Sequence, residues 1–286
     1  MKNDGKIGSA GDGKEDAGFA SARYIKHLSD KLMAAVLPHV QYIEYNGNLS
    51  ADELQSIQKI RYYMYKYHVT VNNVIEVFGK DDIASSVNLA EYNAEKFLTA
   101  IVKHTTSLLN SRNTSINLSC DKSCRRVVFD VRRMSVIMYN IISNAIVHNK
   151  RREKCVDIKA EVRDKNFVVD VKDNGNGIPS SVRKRIFADD RSFDSSVLRL
   201  DDSGMILGGM GLYAAKACVT DMNGRIYSVP TSSGTTIEII IPQESLSDQF
   251  REVIEYEPTK YEVEENIAGA ILCIKYGENI YDDNGV

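Results

Sequence analysis

The spacing of hydrophobic residues divides the chain into two segments of different texture. Across residues 20–43, apolar side chains recur at three- and four-residue steps, which is the spacing of an amphipathic helix. Residues 46–48 predict a turn, and Ser50 with Glu53 forms a capping box that opens a second long helix. Two helices joined by so short a turn predict an antiparallel hairpin. Its apolar stripe needs a further partner, which a second copy would supply in a dimeric four-helix bundle.

After a charged break at 79–84, helical and alternating patterns follow one another. Helices are predicted at 89–109, at 129–145 and from about residue 211, and strands at 114–120, 155–162, 166–172, 224–229 and 235–241. This order predicts an α/β sandwich with its helices on one face of a mixed sheet, so the fold class of the chain is α+β. Within an acidic tail, residues 270–274 predict one short strand.

Length and composition add domain bounds and exclude several function classes. With 286 residues, the chain is long enough for two domains. A net charge of −3 gives nucleic-acid binding no support, and no apolar run is long enough for a membrane span. Five cysteines without zinc or disulfide spacing indicate a reduced, cytoplasmic protein. We expect a flexible leader at 1–18, the helical hairpin at 19–80, a second domain at 86–243 and an acidic extension at 244–286.

Two asparagines stand on the helix predicted at 129–145. Asn140 and Asn144 are four residues apart and therefore share one face of that helix. Neutral amide oxygens there would suit a hard cation such as Mg²⁺, which keeps several of its waters when it also binds phosphates. The alternative is a pair of ordinary solvent-exposed asparagines.

Three short segments further along the chain combine glycine with polar residues. Asp173 follows an apolar strand, where its carboxylate would accept a hydrogen bond from an exocyclic amine such as that of adenine. Gly175 and Gly177 would let the backbone approach a flat ring. The stretch 208–213 opens a helix whose free amides would bind phosphate, although it has neither dinucleotide spacing nor the Lys-Ser/Thr of a P-loop. Thr235 begins the last predicted strand, where its hydroxyl would share a water with a base. Taken singly, each segment is also compatible with a plain turn or helix start.

Taken together and in this order, these segments resemble the N box, G1 box, G2 box and terminal Gly-Thr of the GHKL ATPase superfamily. Ile186 and Phe187 fall where the histidine-kinase branch has its F box, and the similarity covers about residues 88–242. The resemblance is closest to the catalytic and ATP-binding domain of sensor histidine kinases. It implies ATP and Mg²⁺ as ligands and a mobile lid at about 188–208.

The resemblance also implies a role for each motif residue. Asn144, helped by Asn140, would coordinate Mg²⁺. Asp173 would bind the adenine amine, with Gly175 and Gly177 lining the base. The remaining nucleotide-binding residues would be Gly209, Gly211, Leu212 and Thr235.

Two departures from the family pattern concern the phosphate end of the site. Tyr213 stands where the third glycine of the G2 box is expected, and Val147 where a basic residue often follows the N box. Phosphate contacts would then come from His148 or Lys150. Nucleotide binding is therefore better supported than efficient turnover.

The hairpin resembles the dimerisation and phosphoacceptor domain of the same kinases but lacks their acceptor histidine. The stretch 29–36 aligns with their Ser-His-Glu-Leu-Arg-Thr-Pro-Leu segment and places Asp30 at the histidine position. Asp30 could form an acyl phosphate. His27, one helical turn earlier, and His39, further along, are alternative acceptors. All three residues are also compatible with ordinary positions on a helix surface.

These motifs predict an ATP-binding, histidine-kinase-like signalling protein that carries out Mg-dependent γ-phosphoryl transfer to a non-standard acceptor. Its partners would be a second copy of the chain and a response regulator or other signalling protein. Two alternatives remain open, namely a pseudokinase that works by conformation and a phosphotransfer or scaffold protein that docks a response regulator without autophosphorylation. A serine/threonine kinase of the anti-sigma-factor type is less favoured because those small kinases lack a two-helix hairpin.

Overall fold

A computed structural model describes residues 12–78, 86–109, 113–178, 180, 183, 199–200, 206–208, 210–229, 231, 233–243 and 252–275. The helices are α1 (Asp12–Asn46), α2 (Ala51–Phe78), α3 (Ala94–Leu109), α4 (Val131–Val147), α5 (Met210–Asp221) and α6 (Lys260–Lys275). The strands are β1 (Ala90–Tyr92), β2 (Thr114–Cys120), β3 (Val127–Phe129), β4 (Lys154–Arg163), β5 (Asn166–Asp173), β6 (Arg199–Leu200), β7 (Ile206–Gly208), β8 (Arg225–Val229) and β9 (Thr236–Pro242). Within these ranges, no helix combines the length and the apolar character that a membrane crossing requires.

The two N-terminal helices form the predicted antiparallel hairpin. Arg61 of α2 is paired with Glu44 near the end of α1, at 2.6 Å. The predicted capping box at the start of α2 is confirmed, because the backbone N–H of Ser50 donates to Glu53 Oε2 at 2.8 Å. One expectation needs correction: α1 begins at Asp12, so residues 12–18 are helical and not part of a flexible leader.

The remainder of the fold is built on a five-stranded mixed sheet in the order β2-β4-β5-β9-β8. Strand β2 pairs parallel with β4, and all other neighbours are antiparallel. One face of the sheet carries side chains that alternate along β4 and β9, namely Val156, Ile158, Ala160, Ile237, Ile239 and Ile241. These side chains form a single core with α3, α4 and α5, which confirms the predicted sandwich with its helices on one face.

Two helices begin a few residues later than the apolar pattern predicts. Strand β1 pairs antiparallel with β3, with Ala90 opposite Phe129, and these strands precede α3 and α4. Each strand has only three residues, which is too short for alternation to distinguish it from the start of a helix.

The C-terminal segment belongs to the core, and the short strand expected at 270–274 is wrong. These residues lie in α6, whose Val263 and Ile267 are fully buried against the main core. Thr259 and Glu262 form a capping box, since the backbone N–H of Thr259 donates to Glu262 Oε2 at 2.7 Å. The spacing of Val263 and Ile267 continues the helical period into the apolar run at 270–274. Taken without residues 260–269, the apolar run resembles a strand because it is shorter than two turns of helix.

Candidate nucleotide-binding site

The site is organised around α4, whose start is fixed by a buried acidic cap. Asp130 is 3% exposed and accepts hydrogen bonds from the backbone N–H groups of Arg133 at 3.0 Å and Asn88 at 2.9 Å. The guanidinium of Arg133 lies between Asp130 and Asp221, with Asp221 at 3.2 Å. This ion pair joins the beginning of α4 to the end of α5.

Asn140 lies at the middle of α4, between α2 and the start of α5. It is 7% exposed, and its Nδ2 donates to Asn73 Oδ1 at 2.8 Å and to the carbonyl of Val136 at 2.9 Å. Its Oδ1 in turn accepts from Asn73 Nδ2 at 2.9 Å. A Cβ added at Gly211 would stand 2.7 Å from the same oxygen. The fold therefore brings Asn140 and Gly211 together, while Asn144, one turn further along, is half-buried.

The far end of α4 is tied to the end of β5 by a second pair of asparagines. Asn149 is 2% exposed, and its Nδ2 donates to Asn174 Oδ1 at 2.7 Å. The backbone N–H of Cys155 donates to the same oxygen at 2.9 Å. Lys154 Nζ donates to the carbonyl of Asn149. This network sets the distance between α4 and the loop that follows β5.

The carboxylate of Asp173 is held by backbone amides from two loops. Its Oδ1 accepts from the N–H of Gly175 at 2.7 Å and from the N–H of Thr235 at 3.2 Å. A Cβ on Gly175 would lie 2.9 Å from that oxygen, so the glycine permits the close turn. No residue in the described ranges donates to Oδ2, which leaves one carboxylate oxygen for an outside donor.

Two glycines lie where the loop after β5 meets the loop before β9, beside Asp173. Gly177 and Gly234 have φ angles of 79° and 74°, which are in the left-handed region. A Cβ on Gly177 would lie 3.1 Å from the carbonyl oxygen of Gly234. The loop after β5 and the loop before β9 therefore meet through bare backbone, as a surface for a flat ligand requires.

Two positions along helix α4 therefore have different neighbours. Its middle, at Asn140, adjoins the start of α5, and the segment just beyond its end adjoins Asp173. From Asn140 to Val147 the helix rises about 10 Å at 1.5 Å per residue. Asn144 lies between the two ends, so the arrangement suits an extended ligand with a base near Asp173 and phosphates near Gly211.

The other predicted site residues have more varied positions. His148 and Lys150 are exposed just beyond α4, and Leu212 is half-buried against the main core. Gly209, Ile186, Phe187 and most of the predicted lid lie outside the described residues. Across the part of the chain that is described, no three His, Cys, Asp or Glu side chains are grouped as a metal site would require.

The predicted acceptor Asp30 lies beside a histidine to which the sequence analysis gave no role. The Asp30 side chain is 47% exposed. Its Oδ2 lies 3.8 Å from Lys26 Nζ, and its Oδ1 lies 3.9 Å from Nδ1 of His68. His68 is 3% exposed, with Ser29 Oγ at 3.3 Å from Nδ1 and Asn72 Nδ2 at 3.0 Å from Nε2. Burial lowers the pKa of His68, and the Asp30 carboxylate opposes that shift.

Helix α6 completes the surroundings of His68. Glu265 Oε1 lies 3.4 Å from Nε2 of His68, and burial together with the charge of Asp30 raises the pKa of Glu265. Sequence reasoning missed these contacts, as it missed the pair formed by Asn73 and Asn140. In each case the partners are distant in the chain, and no local motif connects them.

Comparison with known proteins identifies the domain that carries this site. A family model described as histidine kinase-, DNA gyrase B-, and HSP90-like ATPase matches residues 129–245. No curated protein sequence matches the chain. The solved structure of the Acinetobacter baumannii histidine kinase AdeS is 17% identical, with a TM-score of 0.53, over 74% of this chain and 95% of that chain. Full-length ShkA in complex with AMPPNP is 18% identical, with a TM-score of 0.57, over 78% of this chain and 45% of that chain. Residues 129–245 therefore match the family of histidine kinase-, DNA gyrase B- and HSP90-like ATPases, and the chain has the fold of a histidine kinase catalytic core.

Proposed function

We propose that this protein is a cytoplasmic, histidine-kinase-like signalling protein that binds Mg–ATP along α4 and transfers the γ-phosphoryl group to a non-standard acceptor. The observation that carries the proposal is the Asp173 carboxylate, which two backbone N–H groups hold through Oδ1, while none of the described residues donates to Oδ2. The match of residues 129–245 to an ATPase family supports the same ligand, as does the AMPPNP bound to ShkA.

The proposed binding mode gives each end of the nucleotide its own partners. The exocyclic amine of adenine donates to Asp173 Oδ2, and the ring lies against the backbone of Gly175 and Gly177. The N-terminal turn of α5 offers amide N–H groups and the positive end of its dipole to the phosphates, at Gly211. Lys150 adds positive charge from beyond the end of α4.

Mg²⁺, when bound, neutralises charge on the β- and γ-phosphates. Asn144 is half-buried on the face of α4 between the two ends of the site, which fits a cation that keeps several waters. Asn140 does not fit this role in the present arrangement, because it is buried and its amide is hydrogen-bonded to Asn73 and to the carbonyl of Val136. We therefore assign the ligand role to Asn144 first.

Asp30 is the proposed acceptor, with His27 as the alternative. A carboxylate oxygen of Asp30 attacks the γ-phosphorus, the bond to the bridging oxygen breaks, and ADP leaves with that electron pair. An ionised carboxylate needs no base for this step. Its partial exposure and its position outside the buried core of the hairpin support access by a nucleotide-bearing domain.

Self-association through the hairpin is part of the proposal. Several large apolar side chains on α1 and α2 are between 39% and 61% exposed, namely Tyr24, Ile25, Leu28, Leu32, Ile43, Ile60, Tyr63 and Tyr67. A second hairpin would cover such a surface as a four-helix bundle. A response regulator or another signalling protein would then dock on the assembled bundle.

The test is incubation with γ-labelled ATP and Mg²⁺, followed by treatment of any label with acid and with base. Label on Asp30 is labile to base and disappears in Asp30→Asn, whereas label on His27 is stable to base, labile to acid and disappears in His27→Gln. Nucleotide binding without label would support the pseudokinase or scaffold alternative, which the engaged state of Asn140 favours.

Nucleotide binding itself is tested by calorimetry with Mg–AMPPNP. We expect Asn144→Ala to abolish Mg-dependent binding and Asp173→Asn to weaken binding both with Mg²⁺ and in EDTA. An Asn144→Ala protein with unchanged affinity would overturn the assignment of the metal ligand. Absence of any adenine-nucleotide binding by the wild-type protein would overturn the proposed function.

A further inference from the structure

The C-terminal third of α2 lies on the phosphate end of the candidate site. Asn73 forms its two hydrogen bonds with Asn140, at 2.9 and 2.8 Å. Glu76, one turn further on, pairs with Arg132 of α4 and lies 3.6 Å from Cys218 Sγ of α5. The hairpin is therefore docked on the two helices that would hold the phosphates.

The amide of Asn140 is hydrogen-bonded through both its nitrogen and its oxygen in this docked arrangement. Both Nδ2 hydrogens are used, one by Asn73 Oδ1 and one by the carbonyl of Val136. The carbonyl oxygen Oδ1 accepts from Asn73, and Gly211 packs directly against it. With 7% of Asn140 exposed, a Mg²⁺ ion that retains several waters has no room beside that oxygen.

Helix α6 secures the docked position from the other side of α2. Its Glu264 accepts from the hydroxyl of Tyr65 at 3.5 Å, and its Glu265 lies 3.4 Å from His68. Ala268 joins the small core of the hairpin, while Ile267 is buried in the main core. The same helix therefore packs into both cores and holds the hairpin against the ATP-binding domain.

We infer that Asn73 and Mg–nucleotide compete for Asn140, so that docking of α2 and Mg-dependent nucleotide binding exclude one another at this residue. This inference rests on the proposed function. Asn73 is a residue that controls access to the site and takes no part in the chemistry. By linkage, whatever detaches α2 strengthens Mg–nucleotide binding, and Mg–nucleotide in turn favours detachment of α2.

The test measures AMPPNP affinity by calorimetry, in excess Mg²⁺ and in EDTA, for a double-mutant cycle of Asn73→Ala and Asn140→Ala. We expect Asn73→Ala to tighten binding in Mg²⁺ by about fivefold or more, the lower end of common couplings between sites. In EDTA the same substitution leaves the affinity unchanged. In the Asn140→Ala background, Asn73→Ala gives no gain, because the oxygen that it would release is absent.

Asn72→Ala is the matched control. Asn72 has the same side chain at the neighbouring position of α2, but its contacts are with Lys26 and His68 and none of them reaches Asn140. We expect this variant to bind nucleotide as the wild type does. Thermal unfolding of each variant shows that the protein measured is folded.

A second measurement needs no substitution. Amide hydrogen exchange at residues 70–78 should speed up when Mg–AMPPNP is added to the wild-type protein and stay unchanged with AMPPNP in EDTA. Wild-type protein that binds Mg–AMPPNP, with no gain in Asn73→Ala and no change in exchange, would overturn the inference and leave the proposed function standing. Failure of every form to bind AMPPNP would overturn both.

Discussion

Replacing Gly234 by alanine probes the contact between the two loops that surround Asp173. Gly234 has a φ of 74°, which costs a residue with a side chain about 1–2 kcal/mol. The new Cβ would also stand 2.8 Å from the carbonyl carbon of Asp173 and closer still to its oxygen. Real Cβ atoms do not come so near to backbone, so the loops must separate, at a further cost of about 1–3 kcal/mol. We expect Gly234→Ala to lower the free energy of unfolding by about 2–5 kcal/mol.

Gly177→Ala separates the two contributions. Its φ of 79° imposes the same conformational cost, but its Cβ would meet the carbonyl of Gly234 only at 3.1 Å. We expect a loss of about 1–2 kcal/mol for this variant. Urea unfolding followed by circular dichroism, without nucleotide, measures both. Equal losses in the two variants would refute the argument from loop contact. A loss of less than about 1 kcal/mol in Gly234→Ala would refute the argument from conformation as well.

Three further predictions concern the buried groups that position the site. Burial lowers the pKa of His68, so the imidazole is protonated more readily in the unfolded chain than in the folded one as the pH falls below 6.5. The free energy of unfolding should therefore decrease below that pH, and it should decrease less in His68→Gln. Chemical denaturation at several pH values measures this difference. Ile267→Ala should lower the free energy of unfolding by about 2–5 kcal/mol in the same assay, whereas Tyr261→Ala on the exposed face of α6 should lower it little. Equal losses in the two variants would contradict the packing of α6 in the core. Asp130→Ala removes the cap of α4 and one carboxylate from the buried Arg133, so a loss of about 3–5 kcal/mol is expected, and a loss within 1 kcal/mol would contradict that role.

The local sequence was sufficient wherever a pattern repeats over many residues or a motif is compact. The alternation of β2 predicts its bounds, 114–120, to the residue, and the capping box of Ser50 marks the start of α2. The three-residue strands β1 and β3 were not predicted because they are shorter than one turn of helix, so their pattern cannot be distinguished from the start of the helices that follow them. The helix α6 was not predicted because the apolar run 270–274 is compatible with a short strand when it is separated from the cap at Thr259.

The motifs around Asp173 and Asn140 predicted which residues gather at the site but not the state of each one. The segments that contain Gly175 and Thr235 meet at Asp173 Oδ1, which accepts a hydrogen bond from the backbone of each. The engagement of Asn140 was beyond prediction, because its partner Asn73 is 67 residues away on a helix with no motif of its own. The same applies to His68, whose neighbours Asp30 and Glu265 come from opposite ends of the chain.

The local sequence is sufficient for the long helices and strands and for the order of the glycine- and asparagine-containing motifs, because each of these is a property of residues close together in the chain. The contact of α2 with Asn140 of α4 and the packing of α6 into both cores, in contrast, arise only when the chain is folded. Docking depends on hydrogen bonds between buried polar groups that are far apart in the chain. The sequence around Asn140 is the same whether its side-chain amide is hydrogen-bonded to Asn73 or not, so the local sequence could not predict this contact.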